Sequence, residues 1–326
     1  NASRADAAAE AAGLGLWALV DRALFDHGEH VARVEAMRDT WGREPGVRLQ
    51  ILDFGEEKLS ILFHRWCTSD QCRLAKYESA PDEVQVPAEV LGQELWHLEG
   101  LVWAVRGALE QAGCRWVLLG QDMLFLHVGH LRAFLARLDP AEPVVLGNRL
   151  RGFGNGAVMA SPWAQIWSRA AAERLVSSWD DKCRPDILTQ DYLKQGGGGS
   201  DYGFGHCFGD LSPAVPYPDT RDDEGRDRFY LWPPSRMDEG NWWDSWYPNM
   251  RIEAPLKSLA PDALLFFFAS AEEIRQLGAI ADHRGPLNGS FRARGRAPGA
   301  EWKFRGEETW RALDAWRARA APRRKK

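Results

Sequence analysis

Along this chain, short apolar runs of strand length are separated by stretches whose apolar residues recur at helical spacing. Residues 14–20 (LGLWALV) predict a first buried strand, and 29–44 (EHVARVEAMRDTWGRE) predict a helix. The stretches 47–55 (VRLQILDFG) and 59–66 (LSILFHRW) read as strands. The longest helical pattern is 88–113 (AEVLGQELWHLEGLVWAVRGALEQAG), stopped by Gly113. Residues 115–140 read as strand, turn, short strand and helix, closed by Pro140, and 142–150 (EPVVLGNRL) as another strand. This alternation predicts an α/β fold with a mostly parallel, twisted sheet flanked by helices.

From about Asp219 the texture becomes acidic, aromatic and proline-rich (RDDEGRDRFYLWPPSRMDEGNWWDSWYP, 221–248). A strand (DALLFFFAS, 262–270) and a helix (AEEIRQLGAIADH, 271–283) follow, and the end, 310–326, reads as a basic helix whose charge cluster is a solvated terminus. Residues 1–13, rich in alanine, read as a stalk remnant, 14–285 as the folded domain and 286–326 as a basic C-terminal extension. No internal repeat is present.

Composition narrows the function classes. The 326 residues are 45% hydrophobic and 27% charged, which fits a globular protein. A net charge of -5 argues against a nucleic-acid partner, since phosphate binding needs a basic footprint. Sixteen tryptophans exceed what a core needs and suit a carbohydrate or ligand cleft. The longest apolar run, 263–269, is too short to span a bilayer. The chain opens on Asn1 rather than Met, as a processed or truncated piece would, so a membrane anchor is expected upstream if there is one. Sequons at Asn1 and Asn288 permit N-glycosylation on the secretory route.

The cysteines number five. His64, Cys67 and Cys72 offer zinc ligands, but no second pair sits at finger spacing, and a short-loop Cys67–Cys72 disulfide is the preferred reading. Cys114 leads into an apolar run and reads as a buried thiol. Cys183 and Cys207 stand on either side of the four glycines in YLKQGGGGSDYGFGHCFGD (192–210), and from the residues alone their pairing stays open. Four glycines followed by a serine have the make-up of a flexible joint, but the polar-aromatic texture continues across them.

Two motifs carry candidate chemistry. Glycines 152, 154 and 156 precede a segment that reads as helical, so the stretch loosely resembles a dinucleotide loop. No convincing acidic partner follows about twenty residues on, and a tight turn is the plainer reading. Asp122, in LLGQDML (118–124), stands just beyond an apolar strand, where open α/β sheets bind ligands. It reads equally well as a turn residue capping its own backbone.

In order along residues 15–285, these pieces resemble the fringe-like inverting β1,3-glycosyltransferases, most nearly the core 1 β1,3-galactosyltransferases, which extend O-linked N-acetylgalactosamine. HVARVEAMRDTW (30–41) resembles that family's first helix, which ends in Thr-Trp. Residues 114–150 resemble its metal-motif strand, the Asn-Leu-Arg helix and the Asp-Pro-x-x-Pro segment. GFGNGAVMAS (152–161) stands where the family has Gly-Gly-Ala-Gly and a serine. SDYGFGHC (200–207) resembles Glu-Asp-x-x-x-Gly-x-Cys, and RDDEGRDRF (221–229) with NWWDSWYP (241–248) resemble the Arg-Asp run and the acceptor-side aromatic cluster.

The resemblance implies a Rossmann-like GT-A glycosyltransferase fold, a Cys183–Cys207 disulfide and Asp201 at the position of the catalytic base. An inverting transferase needs one such carboxylate to deprotonate the acceptor hydroxyl as it attacks the anomeric carbon. Gln121, Asp122, Gly154 and Gly156 would lie at the nucleotide-sugar, and Trp242, Trp243, Trp246 and Tyr247 at the acceptor. The donor would be a UDP-sugar, first of all UDP-galactose, and the acceptor a glycan or glycoprotein. The place would be the Golgi or ER lumen, as the lumenal domain of a type II membrane protein, or the chain would be secreted; a homodimer is open. The pattern departs at the metal: the family's Asp-Asp-Asp reads Gln121, Asp122, Met123, and its distant histidine reads Phe267. Loss of these ligands together implies weak or no use of Mn²⁺, with no metal ligand assigned in this chain. The family also includes a catalytically silent homologue with similar losses, so a chaperone or glycan-binding role is the alternative. Asp201 as a plain helix cap is the corresponding bland reading.

Overall fold

The computed structural model describes residues 13–22, 29–59, 77–151, 158–189, 200–223, 225, 228–230, 260, 262–267, 269–281, 290–292 and 301–303. Strand β1 (Leu16–Asp21) is followed by α1 (His30–Asp39), a 3-10 turn (Trp41–Arg43) and β2 (Val47–Asp53). Next come β3 (Val84–Gln85), α2 (Ala88–Leu91), α3 (Trp96–Leu109), β4 (Trp116–Gln121), β5 (Phe125–Leu126) and α4 (Val128–Leu135). A hairpin of β6 (Val145–Arg151) and β7 (Val158–Ser168) leads into α5 (Arg169–Ser178), a π-helical turn (Trp179–Cys183) and α6 (Arg184–Thr189). Helix α7 (Ser200–Asp210), β8 (Phe229–Tyr230), β9 (Leu265–Phe266), α8 (Ala271–Ala281), β10 (Ser290–Arg292) and β11 (Glu301–Lys303) complete the order.

The main sheet runs β3-β2-β1-β4-β7-β6. Strands β3, β2, β1 and β4 are mutually parallel, while β7 is antiparallel to both β4 and β6. The expected mixed α/β fold with a mostly parallel sheet is therefore present. Strands inside such a sheet are covered on both faces and read as unbroken apolar runs. Leu16, Ala18, Leu19 and Val20 are all fully enclosed, as that rule requires. Leu16, Ala18 and Val20 join Met37, Leu131 and Ile274 in one core, while Leu19 joins Val105, Trp167 and Phe204 in the other. Period-two alternation along β1 thus divides the core between the two faces. Each fully buried Leu or Val contributes about 1.5–3 kcal/mol relative to exposure.

Some expectations are corrected. The helical pattern 88–113 is two helices, α2 and α3, interrupted after Leu91, and α3 ends at Leu109 before the left-handed Gly113 (φ 80°). The segment after the 152–156 glycines is strand β7, not a helix; helix begins only at Arg169, where Ser168 accepts the Ala171 N–H as N-cap. That excludes the dinucleotide-loop reading, which needs a helix N-terminus behind the glycines. The expected strand over 262–270 shortens to β9, in a small sheet ordered β5-β9-β8. The C-terminal extension holds the two-stranded β10–β11 sheet. The 59–66 strand (beyond Leu59), residues 1–12 and the basic 310–326 helix lie outside the described residues. Among the described residues, no helix is long and apolar enough to cross a membrane.

Candidate active site

The chain runs from β1 out to β3 on one side and returns to β4 on the other, so the topological switch point lies between β1 and β4. Ligands of open α/β sheets bind beyond the carboxyl ends of the strands at that point. Here the two strand ends meet: Asp21, the last residue of β1, is in register with Gln121, the last of β4. Asp122 follows directly, its N–H donating to the Asp21 carbonyl at 2.9 Å. The neighbouring strand β2 also closes on an aspartate, Asp53. Three carboxylates thus stand along one edge of the sheet.

Each is held by residues distant in sequence. Asp21 Oδ2 lies 2.7 Å from His97 Nε2, presented by the first turn of α3. Asp53 accepts from the Tyr77 hydroxyl, the Gln85 amide and the Gly55 N–H, the last at 2.7 Å. Asp122 Oδ2 accepts from Arg33 Nη2 at 2.8 Å and lies 2.6 Å from His30 Nδ1, both on α1. The other nitrogen of His30 is 2.5 Å from Glu83. The Arg22 guanidinium sits over the Tyr77 ring, 4.7 Å from its centroid.

The electrostatics follow from this packing. Burial by itself favours neutral His30, but the carboxylates of Asp122 and Glu83 on its two nitrogens prevail and raise its pKa from 6.5 to about 9. The imidazolium then donates from both nitrogens. Burial likewise favours the neutral acid at Asp122, and the charges of Arg33 and His30 overcome it, leaving a pKa of about 2. At Asp21 burial wins: its pKa rises above 3.8 despite His97, and the nearby Asp122 charge adds to the rise. A raised carboxylate at a switch point is the kind of group that functional sites tune.

The predicted residues are distributed as follows. Gln121 stands half-buried at the switch point, and Asp122 is fully enclosed behind it. Asp201 lies in the first turn of α7. Two residues on, Gly203 packs so tightly on α3 that an added Cβ would come within 2.6 Å of Leu98 Cδ1. Leu98 and Phe204 belong to the same buried core, which ties α7 to α3. Cys183 and Cys207 are joined, with Cα atoms 4.9 Å apart, and Cys114 is a buried free thiol. Gly154, Gly156, Trp242, Trp243, Trp246, Tyr247, Cys67, Cys72 and Asn288 lie outside the described residues.

A divalent ion does not fit at Asp122. The accessible carboxylate it would need is already enclosed by a guanidinium and an imidazolium, both cationic, and a metal would have to displace them. Of the other positions of the metal set that the resemblance implies, Met123 and Phe267 are buried apolar side chains and Gln121 is a neutral amide.

Sequence reasoning missed Asp21, Asp53, His30, Arg33 and His97. One signal was available, namely that the predicted strands around 14–20 and 47–55 also run into an aspartate. The histidines and the arginine have no local signal, because α1 and α3 bring them from 76 to 92 positions away.

No protein-family profile matches the chain. Among solved structures, the chain is similar to a glycosyltransferase involved in the glycosylation of the major capsid of PBCV-1, with 12% identity and a TM-score of 0.36 over 80% of this chain and 96% of that one. It is also similar to the galactosyltransferase LgtC in complex with donor and acceptor sugar analogues, with 9% identity and a TM-score of 0.37 over 92% and 95% of the two chains. Both neighbours are glycosyltransferases. Likenesses at this level leave the function to rest on the chain's own geometry.

Proposed function

We propose that this chain is an inverting glycosyltransferase of GT-A type that moves a sugar, galactose or a relative, from a UDP-sugar to a glycan or glycoprotein acceptor in β1,3 linkage. The observation that carries the proposal is the Asp21–Gln121 register at the switch point, the end of an open α/β sheet where ligands bind. Gln121, Asp21 and His97 would hold the donor, and Asp201 would take the proton from the attacking hydroxyl. The departing diphosphate would be stabilised without a metal at Asp122. In the same reading Trp242, Trp243, Trp246 and Tyr247 shape the acceptor side, and Gly154 and Gly156 approach the donor. A disulfide favours an oxidising compartment such as the ER or Golgi lumen, or secretion.

A second reading has its own support. Asp122, the one acid kept from the family's metal motif, is consumed in a buried ion-pair network. A silent homologue acting as chaperone or glycan-binding module would show that arrangement too. The deciding experiment is hydrolysis and transfer from a panel of UDP-sugars, each with Mn²⁺ and with EDTA. Turnover that survives EDTA supports the metal-free transferase. Saturable glycan binding without turnover on any donor supports the silent reading.

A further inference from the structure

His206 and Asp210 lie one helical turn apart on α7, so their side chains emerge on the same side. Asp186, in the first turn of α6, comes to the same point from another helix. Both carboxylates face one atom: His206 Nδ1 is 3.0 Å from Asp210 Oδ2 and 3.5 Å from Asp186 Oδ2. The three potential ligand atoms all lie within 4.8 Å of one another. A proton on Nδ1 serves this arrangement incompletely, because it makes a hydrogen bond to Asp210 and leaves Asp186 at ion-pair distance only. A tetrahedral ion serves it better. With zinc–nitrogen and zinc–oxygen bonds of about 2.0–2.1 Å, neighbouring ligands stand about 3.3 Å apart, between the two distances seen here.

We propose that Asp186, His206 and Asp210 form a divalent transition-metal site, of Zn²⁺ type, cross-linking α6 and α7. The imidazole selects zinc-like ions over magnesium or calcium, which prefer all-oxygen shells. Asp186 and Asp210 are about half-exposed, which leaves an open side for water as a further ligand. The site is partly preformed. The Cys183–Cys207 disulfide joins the same two segments, one residue from His206 and three from Asp186, so little ordering remains for the metal to impose. The assignment is independent of the transferase reading and concerns the opposite end of α7 from Asp201.

The test is calorimetric titration of ZnCl₂ into the chelator-stripped, disulfide-intact chain, together with melting temperatures with and without Zn²⁺. The expected result is a saturable one-to-one site that raises the melting temperature, as binding to the folded state alone requires. His206→Ala should lose both the site and the shift, and Asp186→Asn should weaken binding at least about tenfold through loss of one charged ligand. Metal-free melting temperatures equal to wild type establish that the variants fold; should His206→Ala not fold, the exposed Asp186→Asn carries the comparison. No saturable binding by the wild type, or binding unchanged in the folded variants, overturns the proposal.

Discussion

Arg33 and Asp122 form an ion pair, 2.8 Å long, in which neither side chain has meaningful contact with solvent. Removing one member of such a pair strands the other charge in a medium that solvates it poorly. Asp122→Asn removes the negative charge shared by Arg33 and the His30 imidazolium and leaves them a neutral amide oxygen. It is expected to cost about 3–5 kcal/mol in urea unfolding, with an unchanged slope. A loss below about 1 kcal/mol, the range of exposed pairs, would show that the pair is open in solution.

The same network sets a pH dependence. His30 has a folded pKa of about 9 against 6.5 unfolded, so its contribution is complete below pH 6.5 and is lost as pH rises through about 9. Asp122, at about 2 folded against 3.8 unfolded, contributes fully above pH 3.8 and loses that contribution as pH falls toward about 2. His127 titrates in the opposite sense to His30. Burial and the stacked His130 lower it to about 4, so its contribution, present above 6.5, disappears as pH falls from 6.5 toward 4. His30→Gln is therefore less stable than wild type at pH 6, and the gap narrows by pH 9.5. A gap that stays constant across that window refutes the assignment.

Asp201→Asn separates the transferase from the silent homologue. Asparagine keeps the size of the side chain, and a first-turn carboxylate contributes only about 0.3–1 kcal/mol through the helix dipole, so the melting temperature should change little. Loss of the general base should lower turnover by about 10²–10⁴-fold, with UDP affinity little affected. Retained turnover on the same preparation would leave Asp201 an ordinary residue of the first turn of α7.

Asp21→Asn tests the switch point itself. Its carboxylate, tied to His97, is proposed to face the donor. Loss of a charged hydrogen bond there should weaken UDP-sugar binding by about 1.5–3 kcal/mol, or about ten- to a hundredfold, while leaving glycan binding intact. Equal affinity in the variant, measured by calorimetry, would move the donor elsewhere.

Cys183→Ser combined with Cys207→Ser opens a bridge between residues 24 apart in sequence. A closed loop of that size stabilises by about 3–4 kcal/mol through the restricted unfolded chain. The double variant should show that loss in denaturant midpoint, as should the wild type after reduction. Agreement between the two measurements identifies the bridge as the cause.

How much was legible in the chain depends on how local each determinant is. Strands β1 and β4 could be read because a strand buried on both faces needs an uninterrupted apolar run, and Leu16–Asp21 and Trp116–Gln121 supply one. Asp122 could be read as a strand-end acid for the same reason. Strand β7 could not. Pro162 interrupts its pattern, and the strand runs on past it where β4 and β6 offer hydrogen-bond partners. Gly147 pairs with Gln165 but Arg149 with Ala160, so the proline falls within the irregular step, where a ladder donor is not missed. The surroundings of Asp122 were equally out of reach. His30 and Arg33 stand 92 and 89 positions earlier and read locally as ordinary helix residues. They meet Asp122 only because β1 and β4 are adjacent and the first turn of α1 lies against Asp122. The sequence alone determined which segments must be buried and where an acid would end a strand. The tertiary structure decided which charges face one another, because an ion pair depends on distance in space, and the chain's local pattern does not encode that distance.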